Sequence, residues 1–394
     1  MELFFFTTFS FILNFLLGRI LSLRKIDIIL SFLFHIFLTF VSLSFVESAG
    51  GDSQFYYSSS KMDLHGLNSY FGGNFIIDLV GIFSRYLNLS YFNTTIIFSS
   101  IGYSGILIVV SIIKNLVFDL PGRYKYIYYL ILFSPSLHFW TSLIGKDNLC
   151  LFFISLILIS LIRISENQKF NYFFLILISL ISIFLIRPHF SFIILLGIFI
   201  NILLVIFRKT YFSLLILIFL LPLILFGLNY LASFIQSSFP YEGNITEIIT
   251  GISEVFAKTE DNTFQSTYTP IISEFRYLLA PFPNFNGGAF GIISNMELLP
   301  YFLLFLKPIF LTIKNILTSK TLKIYEFVRN NSLIGSFYII SILFTIILSA
   351  TQYNMGVVIR QKTIISPFYI ISFLIYIRQI LGLNLLGVNF SKSN

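Results

Sequence analysis

The chain carries a single cysteine, Cys150, among 394 residues. That excludes an intramolecular disulfide and any cysteine-ligated metal cluster. Charge is scarce too: 11% of residues are Asp, Glu, Lys or Arg, against about 25% in an ordinary soluble domain. The four histidines, His35, His65, His138 and His189, show no metal-ligand spacing. Neither a glycine-rich phosphate loop nor a dinucleotide fingerprint occurs, which argues against nucleotide-driven and redox chemistry.

What fills the chain instead is oil. Hydrophobic residues make up 57% of it, the mean hydropathy is +0.90, and apolar runs recur along the whole length. Runs of about 18 residues or more read as membrane spans, and a transmembrane barrel would alternate in shorter segments. The expected fold is an all-α polytopic bundle, one integral membrane domain over 1–394, multi-pass in the cytoplasmic (inner) membrane. Spans are expected near 4–22, 28–46, 94–113, 126–143, 148–164, 171–186, 190–207, 211–233, 298–316, 333–350 and 364–381, about eleven at the usual length. The first run lacks a basic start and is followed by Arg19, Arg24 and Lys25, which favours an uncleaved span over a signal peptide.

Basic clusters mark every second connection: Arg19/Arg24/Lys25, Lys114/Arg123/Lys125, Arg163/Lys169, Arg208/Lys209, Lys314/Lys320/Lys323/Arg329 and Arg378/Lys392. The positive-inside rule then puts the N-terminus outside and the C-terminus inside. Insertion accounts for the net charge of +8, so no nucleic-acid partner is inferred. Two long connections fall outside, 47–93 and 234–297. The first has helical periodicity from Phe75 to Leu89, suiting an amphipathic helix at the interface. The second holds Pro281, Pro283 and Gly287-Gly288, the signature of an irregular, substrate-facing segment.

Insertion does not explain the outer-side cations Lys61, Arg85, Lys146, Arg187, Lys258, Arg276, Arg360 and Lys362. Several sit at the ends of apolar runs, and ionisable groups at membrane depth cost roughly 2.5–3.5 kcal/mol on insertion scales. An anionic lipid headgroup, above all the phosphate or diphosphate of a polyprenyl carrier, is the economical partner. Arginine offers a planar fork to two phosphate oxygens and lysine a compact charge. Lys146 is then expected to contact phosphate, with Asp147 orienting it or capping the following helix. Arg187, Arg276, Arg360 and Lys362 are further binding candidates. The turn "TQYNMGVVIRQK" is expected to present the last two.

Asp52, after Gly50-Gly51, is the leading acid–base candidate; it would accept the proton of an attacking sugar hydroxyl. Asp63 and Asp78 are weaker alternatives, and His189 is the second catalytic candidate. Each of these residues also has a plainer reading. Asp147 could be a simple N-cap, Arg187 a snorkelling side chain, His189 a packing residue and Glu274–Arg276 a loop pair.

The stretches "GGDSQFYY", "SPSLHFWTSLIGKD", "LIRPHF", "FRYLLAPFPNF" and "NMGVVIRQKTIISPF" lie in this order between about 47 and 370. In them the chain resembles the Wzy-like polysaccharide polymerases, and more broadly the GT-C class of polyprenyl-phosphate-dependent membrane glycosyltransferases. The resemblance implies an acidic residue on the first outer loop, here Asp52, and arginines at the carrier phosphate, here Arg187, Arg276 and Arg360. It also implies a polyprenyl-linked glycan substrate and a setting among membrane lipid and other polysaccharide-assembly proteins. No Asp-x-Asp pair is present, so no cofactor is assigned and a divalent metal stays open. A flippase of the same lipid-linked glycans is the alternative, set back by the lack of an internal repeat. A scaffold or an acyltransferase is a third reading.

Overall fold

A computed structural model describes residues 2–62, 71–165, 170–206, 335–351, 355–381 and 383. The expected spans at 211–233 and 298–316, the second outer connection 234–297 and Arg276 lie outside the described residues. Every regular element among the described residues is helical: α1 (Glu2–Ile20), α2 (Lys25–Ala49), α3 (Asp52–Lys61), α4 (Gly73–Gly81), α5 (Tyr91–Val117), α6 (Lys125–Leu132), α7 (Pro135–Trp140), α8 (Lys146–Ser165), α9 (Asn171–Ile186), α10 (Pro188–Ile206), α11 (Ser336–Thr351) and α12 (Met355–Ile380). Four of them, α1, α2, α5 and α8, are long and apolar enough to cross a membrane.

Helix α5 is the hub of the bundle, packing against α1, α2, α6, α7, α8 and α12. It runs apolar on nearly every face and is buried along most of its length, as a helix enclosed by other helices must be. Two glycines set its closest approaches. A Cβ at Gly102 would stand 2.2 Å from the Thr141 carbonyl oxygen, and one at Gly105 would stand 2.9 Å from the Phe152 Cα. Small residues let membrane helices approach at this range, where dispersion contacts supply the attraction that lipid cannot. By contrast α1 presents Phe4, Phe5, Phe9, Leu13 and Leu16 to the surroundings.

The bundle has two chemically different ends. At one, Arg24 pairs with Asp27 at 2.8 Å, Tyr128 donates to Asp27 at 2.6 Å, and Lys114 donates to the Ser22 carbonyl. There Arg378 also caps α5, donating to the Leu116 carbonyl oxygen at 2.9 Å and pairing with Asp119 at 3.2 Å. A cation on the Leu116 carbonyl, with Lys114 in the last turn, suits the negative end of α5. At the other end lie the start of α3, the 71–73 turn, the start of α8, the junction of α9 with α10 and the first turns of α12.

Three expectations about elements change. The run at 126–143 is not one helix but two, α6 and α7, broken at Phe133-Ser134. Pro135 has no N–H to continue the ladder, and Ser134 instead caps the new helix by accepting from the Leu137 N–H at 3.2 Å. The first outer connection holds two helices rather than one: α3 begins at Asp52, and α4 continues through a π-helical turn at Ile82–Tyr86. Arg360 and Lys362 do not lie in a turn, because α12 begins already at Met355 and carries both on its opening turns.

A break inside an apolar bundle frees backbone groups that no water can satisfy. His138 answers this one, its Nε2 donating to the Leu132 carbonyl oxygen at 2.9 Å. Its Nδ1 lies 2.9 Å from the Nδ1 of His35, whose Nε2 meets the Ser99 hydroxyl at 2.9 Å. His35 Nε2 also lies 3.0 Å from the Ser99 carbonyl oxygen. A carbonyl only accepts, so each ring directs an N–H from Nε2 to a backbone carbonyl, and the two Nδ1 atoms face each other. The Ser99 hydroxyl also meets that of Thr39 at 2.9 Å, and Thr39 in turn donates to the His35 carbonyl oxygen at 2.9 Å. On α2, His35 belongs to a buried polar stripe of Asp27, Ser31, His35, Thr39 and Ser42, spaced to share one helix face.

Candidate functional site

The site grows from two helix starts and one helix break. Helix α9 stops at Ile186 because Pro188 forces the preceding residue out of the helical region. Arg187 takes φ −145° and ψ 86°, and Pro188 opens α10 at the first position, where its missing N–H costs nothing. The kink turns Arg187 inward. Its side chain, 9% exposed, donates from Nη2 to Asp147 Oδ1 at 2.5 Å. Asp147 is the second residue of α8 and its side chain is 3% exposed. Its other oxygen, Oδ2, accepts from Nε of Arg360 on the second turn of α12. Arg360 then reaches from Nη1 to Asp52 Oδ2 at 3.1 Å, at the start of α3.

One buried carboxylate therefore holds two guanidinium groups, and one of these touches a second, exposed carboxylate. Aromatic rings back both arginines: Arg187 lies 5.1 Å from the Phe190 ring centre and Arg360 lies 6.0 Å from that of Trp140. Ring faces are attractive to cations, more so out of water. Two glycines leave room beside the cationic heads. A Cβ at Gly72 would stand 3.6 Å from Lys146 Nζ, and one at Gly145 would stand 3.7 Å from Arg360 Nη2. The 71–73 turn is pinned to α9 by the Gly72 N–H, which donates to the Leu185 carbonyl at 2.8 Å.

Burial lowers the proton affinity of Arg187, yet a guanidinium keeps its charge in proteins. Tyr56, one helical turn beyond Asp52, is pushed up to about 12 by burial and then by the Asp52 carboxylate. It is a neutral hydroxyl, not a base. Two donors around Asp147, Nη1 of Arg187 and Nε1 of Trp140, have no partner among the described residues, and neither has the ring nitrogen Nε2 of His189. A buried donor without an acceptor costs about 1–3 kcal/mol. Cations with spare donors, glycines beside them and an exposed carboxylate together make a receptor for an anion.

Of the residues singled out from sequence, Asp52, Lys146, Asp147, Arg187 and Arg360 converge at this one end. They come from α3, α8, the α9–α10 break and α12. His189 joins the edge, with its ring 4.9 Å from that of Phe190 and within electrostatic reach of Arg187 and Lys146. Asp147 does not orient Lys146, its neighbour in sequence; its two oxygens are taken by arginines from 40 and 213 residues away. Lys362 is buried but lies two residues past Arg360, on a different face of α12. Arg276 is outside the described residues.

Sequence reasoning gave no role to Trp140 or Tyr56. Tyr56 had a signal, since a residue four beyond Asp52 on a helix shares its face. Trp140 had none, because its contact crosses to α12. Among the described residues, no three His, Cys, Asp or Glu side chains gather as metal ligands. No protein-family model, no curated protein and no solved structure matches the chain.

Proposed function

We propose that the protein is a membrane glycosyltransferase that moves a sugar, or a repeat-unit glycan, from a polyprenyl (di)phosphate donor to an acceptor. The reaction belongs to the extracytoplasmic face of the inner membrane, in surface-polysaccharide synthesis of the kind Wzy-like polymerases carry out. The reading includes a multi-pass chain of about eleven spans, with other polysaccharide-assembly proteins as its setting. One observation carries it: Asp147 holds Arg187 and Arg360 side by side at a helix-end level, while Arg187 Nη1 has no acceptor among the described residues.

In this reading Arg187 and Arg360 take the phosphate oxygens and Lys146 adds a third charge. Asp52 accepts the proton of the acceptor hydroxyl as its oxygen forms the new bond to the anomeric carbon. The bond from that carbon to the phosphate oxygen breaks, and its electron pair leaves with the polyprenyl (di)phosphate. The cations meet the charge that develops there, the kind of electrostatic help that is often the largest catalytic contribution. His189 stands at the edge as a second acid–base candidate.

The alternative, a flippase of the same lipid, draws support from the buried polar stripe on α2, since polar groups inside a membrane helix often line a pathway. Purified protein in liposomes with a polyprenyl diphosphate-linked glycan separates the two. A transferase releases polyprenyl (di)phosphate and lengthens the acceptor; a flippase moves the donor unchanged. Loss of release in R187A and R360A variants that still insert supports the first reading, and undiminished release in both refutes it.

A further inference from the structure

Asp147 and Asp52 share one guanidinium but hold it on unequal terms. Arg360 gives Nε to Asp147, whose side chain is 3% exposed, and Nη1 to Asp52, whose side chain is 59% exposed. Detaching Asp147 would strand buried charges, which is strongly destabilising. Detaching Asp52 returns a hydrated carboxylate to water, at little cost. Behind it, Gly50 sits at φ 76° with nothing within 4 Å of an added Cβ, while a Cβ on Gly51 would meet the Val46 side chain at 3.3 Å, so the freedom of Asp52 lies in its own exposed side chain. The body of α3 is fastened independently, by Ser53 to the Tyr91 hydroxyl at 2.9 Å and by Tyr57 to the Leu89 carbonyl at 2.7 Å. Asp52 can therefore leave Arg360 without moving the helix it begins.

We infer that Asp52 is a place-holder on Arg360, displaced when a phosphoryl group binds. The inference rests on the phosphate reading above. A dianionic phosphoryl group offers several oxygens to three cations, and takes Nη1 of Arg360 while its other oxygens meet the open Nη1 of Arg187. Asp52 is then released toward the acceptor. The base is occupied until the donor is seated, so donor binds before acceptor.

Trp140 is the one tryptophan in the chain, and Arg360 lies against its ring. Its fluorescence in the full-length protein in detergent therefore reports on this site, with farnesyl phosphate as the probe and farnesol as the uncharged control. Removing the competitor should tighten farnesyl phosphate binding up to about fivefold in both D52N and D52A, the scale of one exposed charge contact. R360A should weaken it. Unchanged or weaker binding in both Asp52 variants, with R360A still weakened, overturns the place-holder and leaves the phosphate reading standing. Equal response of the wild type to farnesyl phosphate and farnesol sinks the phosphate reading, and the place-holder with it.

Discussion

Asp147 Oδ1 stands 2.5 Å from Nη2 of Arg187 in a buried contact, although the two lie 40 residues apart. The pair ties the start of α8 to the break between α9 and α10. Because the second oxygen of Asp147 holds Arg360, the contact is one arm of a triad, and the triad behaves differently from a pair under substitution.

Exchanging the charges, with D147R and R187D together, restores an isolated ion pair. Here it sets an arginine against Arg360. The double variant should remain as poorly folded as D147A, whose loss of a buried partner costs about 3–5 kcal/mol. Thermal unfolding in detergent checks this; recovery of wild-type stability by the exchange would show that Arg360 does not share the carboxylate.

His138 closes the α6–α7 break. H138L should lower stability by about 1–3 kcal/mol, since it leaves the Leu132 carbonyl without its partner. H138Q keeps one donor and should recover part of the loss. Equal melting temperatures for the Leu variant and the wild type would mean that another group satisfies the carbonyl.

Tyr56 gives a pH prediction with a definite sign. Burial, and then Asp52, raise the phenol to about 12, above the ordinary value of about 10. A group whose affinity for its proton rises on folding contributes stability below the unfolded value and loses it as pH climbs through the folded one. The wild type should thus lose stability between about pH 10 and 12, and Y56F should lose less across that window. Below pH 9 the two activity profiles should have the same shape. A shift of the acid or alkaline limb in Y56F below pH 9 would make Tyr56 a titrating participant.

Gly102 sets the approach of α5 to α7 and α8. A Cβ there meets the Thr141 carbonyl oxygen at 2.2 Å, a backbone atom that cannot rotate aside. G102V should abolish accumulation of folded protein, whereas a change such as F9L on the outward face of α1 should be neutral. Fluorescence-detected size-exclusion profiles of the two variants make the comparison.

Much of this was legible in the sequence for a simple reason. Apolar length betrays helices whatever they pack against, and Pro188 after Arg187 announces a break. Charges stranded at span ends marked Asp52, Lys146, Arg187 and Arg360 before any geometry was known. What sequence could not give was pairing. Asp147 reads as the neighbour of Lys146, because adjacency is all a linear chain displays, while its partners arrive from α12 and the α9 end. The break at Ser134-Pro135 was readable from the proline and its cap, but the hydrophobicity of 126–143 concealed it. The stripe Asp27-Ser31-His35-Thr39-Ser42 was readable too, since its spacing of four, four, four and three follows one helix face; the surrounding oil masked it.

Orientation is the remaining handle on the proposed chemistry, and the chain is well suited to measuring it. Its one cysteine, Cys150, is buried, so it should resist maleimides in the folded protein, and C150A supplies a clean background. Asp52 is exposed at the site end and Lys125 is exposed at the basic end. On intact spheroplasts, a membrane-impermeant maleimide should label D52C and spare K125C; on inside-out vesicles the order should reverse. Labelling of both from one side would mean that the two ends do not face opposite compartments. Labelling in the reversed order would put Asp52, Arg187 and Arg360 on the cytoplasmic side and overturn the extracytoplasmic placement of the proposed reaction.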